Sequence, residues 1–230
     1  MKNKSKIILI ICVAVVYTFF EASKFSAGIG DLIREQAQQS SIYNTHYEAE
    51  LSSGAYTAGV DFPTGIYDIE AVKGNGFILK DDWSHDHIGG PIGVCEEKPY
   101  EKQYLNFYIS EGCKLNVHSV TIKMKTDKAS SEKLVTRDQP NTKTIELISG
   151  DYIAGTDFPA GVYDVVEVSG NVSVSCGNAI CAALGPGTDE SYPKQYKNIS
   201  FKKGAKLSVL SINNDNFQTR DVIADLVPSK

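Results

Sequence analysis

The sequence predicts an all-β protein: two tandem small antiparallel β-sandwich or jelly-roll-like domains that follow an N-terminal membrane helix. Residues 50–76 recur as residues 146–172, which indicates an internal duplication. Both copies show the two-residue alternation of half-buried strands, and no apolar pattern of helical period interrupts either of them. An open barrel is the alternative architecture for each domain.

The N-terminus has the pattern of a membrane-targeting segment. Three lysines precede an apolar run over residues 7–20, which as a helix of about 1.5 Å per residue is short for a hydrocarbon core of about 30 Å. This pattern is typical of a secretory signal, yet the region where cleavage would occur is poor. Residues 1–28 are therefore either an uncleaved signal anchor or a cleaved signal peptide. We expect membrane-bound extracytoplasmic domains in the first case and a secreted protein in the second.

The rest of the chain divides by pattern and composition. The segments are a polar stalk (29–49), the first β-domain (50–124), a linker with a short strand near 134–136 (125–145), the second β-domain (146–213) and a C-terminal tail (214–230).

The duplication is clearest in one motif. Residues 56–68 and 152–164 share nine of their 13 positions. A proline presets φ in a β-turn, an aspartate before it accepts backbone N–H groups, a glycine closes the turn and a tyrosine packs beneath it. Two carboxylates per copy are too few for calcium, which takes six to eight oxygens. The predicted turn residues are Asp61, Pro63, Gly65 and Tyr67 in the first copy and Asp157, Pro159, Gly161 and Tyr163 in the second.

Strand prediction in the first copy follows the alternation. Gly74-Asn75 and Gly170-Asn171 predict tight hairpins. In the last strand, Leu115 and Val117 are expected on one face and Val120 and Ile122 on the other. The predicted strands lie near 55–59, 65–72, 76–81, 103–109 and 114–124.

The segments Gly59–Tyr67 and Gly155–Tyr163 resemble a Gly-x-Asp-Ile/Phe-Pro-x-Gly-x-Tyr β-repeat of secreted and membrane-anchored proteins of Gram-positive bacteria. The resemblance covers the two repeated domains. It implies a β-rich repeat in an envelope setting, and it transfers no catalytic residue.

The segment after Lys80 differs most between the copies and predicts the binding face. Trp83, with Tyr100 or Tyr104, can stack on a sugar, while His85 and His87 supply hydrogen-bonding edges. In an extended segment the same two histidines, with Asp82, could bind a metal. The alternative is an exposed polar hairpin tip without a ligand. No cofactor is expected.

The cysteines offer two pairings inside the domains. Outside the cytoplasm disulfides can persist, and Cys176 with Cys181 or Cys95 with Cys113 would close loops within single domains. A zinc site is disfavoured by the spacing.

The expected function is a non-catalytic, membrane-tethered binding module of the cell envelope. No Gly-x-Ser-x-Gly or His-Glu-x-x-His motif occurs. Wall glycan or an envelope protein is the expected partner besides the membrane, and the net charge of −5 argues against nucleic acid. The alternatives are a structural spacer or assembly subunit without a ligand and, with less support, a metal-dependent hydrolase.

Overall fold

The computed structural model describes residues 43–81, 88–137, 143–176, 179–186, 192–212 and 223–229. These residues form strands and loops without a helix, which confirms the all-β prediction. Within those ranges no helix is long and apolar enough to cross a membrane. The predicted signal segment, 1–28, lies outside the described residues, as does the predicted stalk up to residue 42.

The strands fall into two sets, one for each copy of the duplication. The first copy has β1 (Tyr43–Leu51), β2 (Gly54–Thr57), β3 (Gly65–Asp81), β4 (Ile88–Gly93), β5 (Gln103–Ile109) and β6 (Lys114–Ser130). The second copy has β7 (Ile145–Ile148), β8 (Gly150–Ile153), β9 (Gly161–Ser169), β10 (Val172–Cys176), β11 (Ala179–Leu184), β12 (Gln195–Phe201), β13 (Lys206–Ser211) and β14 (Ile223–Pro228).

Strand order is the same in the two copies. In the first copy, β3 pairs with β5 and β4 on one side and with β6 along its other side, and β6 also pairs with β1 and β2. The long strands β3 and β6 of the first copy each correspond to two shorter strands in the second. The second copy therefore has two strand orders, β12-β9-β14-β7 and β11-β10-β13-β8. The strands β9 and β10 thus replace β3, and β13 and β14 replace β6.

Each copy has its own hydrophobic core. The first contains Tyr67, Ile69, Leu115 and Met124, and the second contains Tyr163, Val165, Leu207 and Leu226 at equivalent places in the sheets. Burying such a side chain contributes about 1.5–3 kcal/mol. The alternation of buried and exposed residues along β3 and β9 places the predicted tyrosines inward.

Three local predictions are wrong, and a left-handed residue lies at each of them. The expected hairpin at Gly170-Asn171 is absent because β9 and β10 pair with other strands and not with each other, and Gly170 has a φ of 81°. The expected hairpin at Gly74-Asn75 is absent because β3 runs through it: Gly74 has a φ of 77°, and the β3–β6 register shifts beside it, which makes a bulge. In β6, Ser119 has a φ of 54°. This residue resets the alternation, so that Val120 and Ile122 enter the same core as Leu115 and Val117.

Several segment boundaries also differ from the prediction. The strand β6 continues to Ser130, whereas residues 131–137, including the expected strand at 134–136, are irregular. The predicted tail contains β14, which pairs with β9 and β7 and places Ala224 and Leu226 in the second core. The strands β4 and β1 were not predicted at all, and β1 occupies residues 43–49 of the predicted stalk.

The two copies are joined edge to edge. The strand β2 of the first copy pairs in parallel with β12 of the second, so one sheet of ten strands runs through both. The described residues from Thr45 onward accordingly form one compact unit. We call the β2–β12 contact the joint.

Candidate functional site

The joint rests on a backbone hydrogen bond and a glycine. The Lys197 amide donates to the Ser53 carbonyl at 3.0 Å, and Gly54 lies opposite Lys197. A Cβ on Gly54 would lie 2.9 Å from both the Cβ and the carbonyl oxygen of Lys197. Only glycine lets the two backbones approach this closely, which is a common role of glycine inside a strand.

A cleft of about 560 Å³ opens beside the joint. We call it the joint cleft. Both copies and the segment between them contribute polar side chains to its walls. These side chains belong to Thr57, Asp81, Lys114, Asn116, His118, Arg137, Tyr196, Asn198 and Ser200. A second cleft, of about 500 Å³, is lined by residues of both copies that include Ser52, Ser53, Lys73, Thr121 and Lys194.

His118 connects the copies across the floor of the joint cleft. Its ring stacks on Phe77 with centroids 4.5 Å apart, and its Nε2 lies 3.3 Å from the hydroxyl of Tyr196 in the second copy. Burial lowers the pKa of His118 below its ordinary value, and burial likewise raises the pKa of Tyr196. Both groups are therefore neutral at pH 7, which suits structural hydrogen bonding.

Arg137 ties the segment between the copies to both of them. It donates to the Asn198 amide oxygen of the second copy at 2.6 Å and forms an ion pair with Asp61 of the first. Both charged side chains are only 11% exposed. Burial raises the pKa of Asp61, although the amide of Thr57 and the Arg137 guanidinium act in the opposite direction.

The charges in the joint cleft are balanced. Arg137 is neutralised by Asp61, and Lys114 lies directly across from Asp81 in the β3–β6 register. What remains for a ligand are amide and hydroxyl groups, which donate and accept hydrogen bonds with uncharged polar molecules.

Of the predicted binding residues, Tyr100 and Tyr104 lie in the described part of the structure. Asp82, Trp83, His85 and His87 lie outside the described residues, although Asp81 just before them lines the joint cleft. Tyr100 and Tyr104 are half-buried and belong to the first copy alone. The hydroxyl of Tyr104 donates to the Pro91 carbonyl at 3.3 Å, and its ring packs against Phe107.

Sequence reasoning missed Tyr196 and Arg137. Tyr196 is the equivalent of Tyr104 in the repeated Lys-Gln-Tyr sequence, so the repeat signal was visible. Nothing in the sequence indicates that the second tyrosine, and not the first, meets the other copy. Arg137 lies in the segment predicted as a linker, residues 125–145.

The predicted metal residues, Asp82, His85 and His87, lie outside the described residues, and one of the two predicted disulfides is absent. Among the described residues no group of three His, Cys, Asp or Glu side chains could hold a metal ion. Cys95 and Cys113 are not joined in a disulfide: Cys113 is buried and its sulfur donates to the Asp81 carbonyl at 3.1 Å. The side chains of Cys176 and Cys181 lie outside the described part of the structure.

The turn motif makes the same contacts in both copies. Asp61 accepts from the Thr57 amide and Asp157 from the Ile153 amide, each at 2.7 Å. The hydroxyl groups of Tyr67 and Tyr163 donate to the carbonyl groups of Pro63 and Pro159. The turn glycines Gly65 and Gly161 begin β3 and β9. These contacts give the motif a structural role, with Arg137 added in the first copy only.

Comparison of this chain with protein-family models, with curated proteins and with solved structures finds no match.

Proposed function

We propose that this protein is a non-catalytic binding module of the cell envelope whose ligand occupies the joint cleft. The observation that carries the proposal is that the cleft is assembled from both copies and from Arg137, so neither copy has it alone. A cleft of about 560 Å³ is in the range of small-ligand sites.

Its chemistry favours an uncharged polar ligand such as a wall glycan. Arg137 is paired with Asp61, and Lys114 lies opposite Asp81 in the β3–β6 register, so positive and negative charges are matched in number. Asn116, Asn198 and Ser200 add amide and hydroxyl groups to the lining. Among the described residues His118 has a phenol and a phenyl ring as partners and no carboxylate, which does not support an acid–base or nucleophilic role.

Retention on purified Gram-positive cell wall tests this proposal. In the full-length protein, Ser200→Arg places a long side chain in the joint cleft and should lower retention at least about tenfold, or about 1.4 kcal/mol. Ser131→Arg, on an exposed segment outside the cleft, is the matched control. Equal retention of both variants would remove the cleft as the binding site, and no retention of the unmodified protein would favour a spacer or assembly subunit.

The envelope location rests on the N-terminal sequence pattern. We propose that residues 1–28 hold the protein at the membrane with its β-sheets outside, or are cleaved to release it. The intact mass of membrane-extracted protein separates the two cases, because cleavage removes the mass of this segment.

A further inference from the structure

The joint has two halves, and each half occurs twice in the chain. One half is the edge β2, whose equivalent in the second copy is β8. The other is the edge β12, whose equivalent in the first copy is β5. Inside the molecule β2 meets β12. Among the described residues, β8 pairs only with β13 and β5 only with β3, so the second pair of halves stays open.

The open edges have the backbone geometry that the joint uses. The β12–β9 pairing skips Lys197 and Asn198, and the β5–β3 pairing skips the equivalent Leu105 and Asn106. Both asparagines are left-handed, with φ values of 56° at Asn106 and 62° at Asn198. Their amides donate to Asp68 and Asp164 respectively. Leu105 therefore stands where Lys197 stands in the joint.

The partner edge repeats the joining sequence. Ser53-Gly54 of β2 corresponds to Ser149-Gly150 at β8, but Ser53 is buried and Ser149 is exposed. Gly54 is required because a Cβ would meet Lys197 at 2.9 Å. At Gly150 the nearest atom to a Cβ is 3.5 Å away and φ is not positive, so nothing within the described chain requires glycine there. The approach of another backbone would require it.

The open edges and the strands beside them expose apolar side chains at three positions where the joint cleft has polar ones. Thr57, His118, Val162 and Ser200 line the joint cleft. Their equivalents are Ile153 (45% exposed) and Tyr108 (51%) on the open edges β8 and β5, and Leu210 (53%) and Ile66 (37%) on the neighbouring strands β13 and β3. Exposed edge strands normally carry charges that prevent association, whereas exposed apolar groups on an edge favour it.

One charged residue breaks this pattern. At the position of Ala55 the open edge carries Asp151. Its carboxylate is held by Lys206 at 2.9 Å and by the Ser208 hydroxyl at 2.5 Å within its own sheet. Because this charge is already paired, it does not have to be desolvated alone when the edge is covered.

From these observations we infer that the chain assembles head to tail with further copies of itself, β8 of one molecule pairing in parallel with β5 of the next, as β2 pairs with β12 within each. Such a contact joins two different surfaces, so it propagates into an open filament or closes into a ring. We assign a second copy of this chain as the partner because the open edges reproduce the sequence and the backbone geometry of the joint. The inference does not depend on the ligand proposed for the joint cleft.

Sedimentation velocity of the full-length protein in detergent micelles tests this assembly. The unmodified protein should form species larger than a dimer as its concentration rises. Gly150→Val blocks β8, and the double variant Leu105→Asp with Tyr108→Asp blocks β5 by adding carboxylates opposite an edge that already carries Asp151. Each variant alone should stay monomeric, while Ser131→Val should associate like the unmodified protein.

Mixing the two blocked variants is the decisive step. Each retains the edge that the other lacks, so an equimolar mixture should form a dimer and nothing larger. That result also shows that both variants are folded. The inference is overturned if the unmodified protein stays monomeric, if either blocked variant still forms large species, or if the mixture stays monomeric although both variants unfold cooperatively.

Discussion

At the scale of single residues, Gly54 is the position on which the joint depends most. Its Cα faces the backbone of Lys197 so closely that a methyl group cannot be inserted without movement. Gly150, its equivalent in the second copy, has space for one. The same substitution at two equivalent positions therefore separates the effect of the joint from the effect of glycine itself.

We expect Gly54→Ala to lower the free energy of unfolding by about 1–3 kcal/mol, because overpacking forces the joining backbones apart. In dilute solution Gly150→Ala should instead raise it by up to about 1 kcal/mol, because alanine restricts the unfolded chain without strain in the folded one. Urea unfolding of both variants measures the difference. Equal effects would mean that Gly54 does not contact Lys197.

His118 makes stability dependent on pH. Because burial lowers its pKa in the folded protein, the unfolded chain binds the proton more readily between the folded pKa and the unfolded value of about 6.5. Stability should therefore fall as the pH drops below about 6.5, by at most about 1.4 kcal/mol per pH unit for one proton.

Unfolding of His118→Leu, which carries the residue found at the equivalent position 210, isolates this contribution. The difference in stability between the unmodified protein and the variant should shrink as the pH falls from 7 to 5. His46→Gln, at an exposed histidine paired with Asp127, is the control. A difference that stays constant over this range would show that His118 is not held neutral.

At the scale of elements, the segment after β6 connects the two copies through the side chain of Arg137. Arg137 reaches Asp61 in the turn of the first copy and Asn198 in β12 of the second. Asp157, the equivalent of Asp61, makes the same turn contact but is exposed. The hydrogen bond described for its carboxylate comes from the backbone amide of Ile153.

Removing the arginine leaves a buried carboxylate without its counter-charge. Arg137→Ala should cost about 2–4 kcal/mol in the free energy of unfolding. Adding Asp61→Asn should recover part of this loss, whereas adding Asp157→Asn should not. Chemical unfolding of the three variants measures these values, and additivity of Arg137→Ala with Asp61→Asn would contradict the ion pair.

The elements also show how far the sequence could predict the fold. The bounds 103–109 for β5 were predicted as observed, because aromatic and aliphatic residues fill the segment and the turn glycine Gly112 follows it, although Asn106 interrupts the alternation. The strand β4 was missed because Ile88-Gly-Gly-Pro-Ile-Gly has the composition of a turn. There, a Cβ on Gly89 would lie 2.2 Å from the Ile78 carbonyl oxygen, so glycine serves close strand approach instead.

The face on which Val120 and Ile122 lie could not be predicted for a different reason. Strict alternation places them opposite Leu115 and Val117, but Ser119 adopts a left-handed conformation that glycine or asparagine would have signalled and serine does not. The amide of Ser119 donates to the Ser53 hydroxyl, a contact with β2 that no local pattern contains.

At the scale of the whole molecule, the joint is what turns two repeated sheets into one. The duplication was readable because identical residues recur at a constant spacing. The sequence did not indicate which edges of the two copies would pair. Gly54 and Lys197 are far apart in the chain, and parallel pairing leaves no hairpin signal. The joint cleft and its residues were missed for the same reason.

Hydrogen exchange of two equivalent amides tests the joint most directly. In dilute solution the Lys197 amide, bonded to the Ser53 carbonyl at 3.0 Å, should exchange on the order of a hundredfold more slowly than the Leu105 amide at the open edge. Both can be followed in one experiment on the unmodified protein. Equally fast exchange at Lys197 and Leu105 would contradict the joining of the two copies in one sheet.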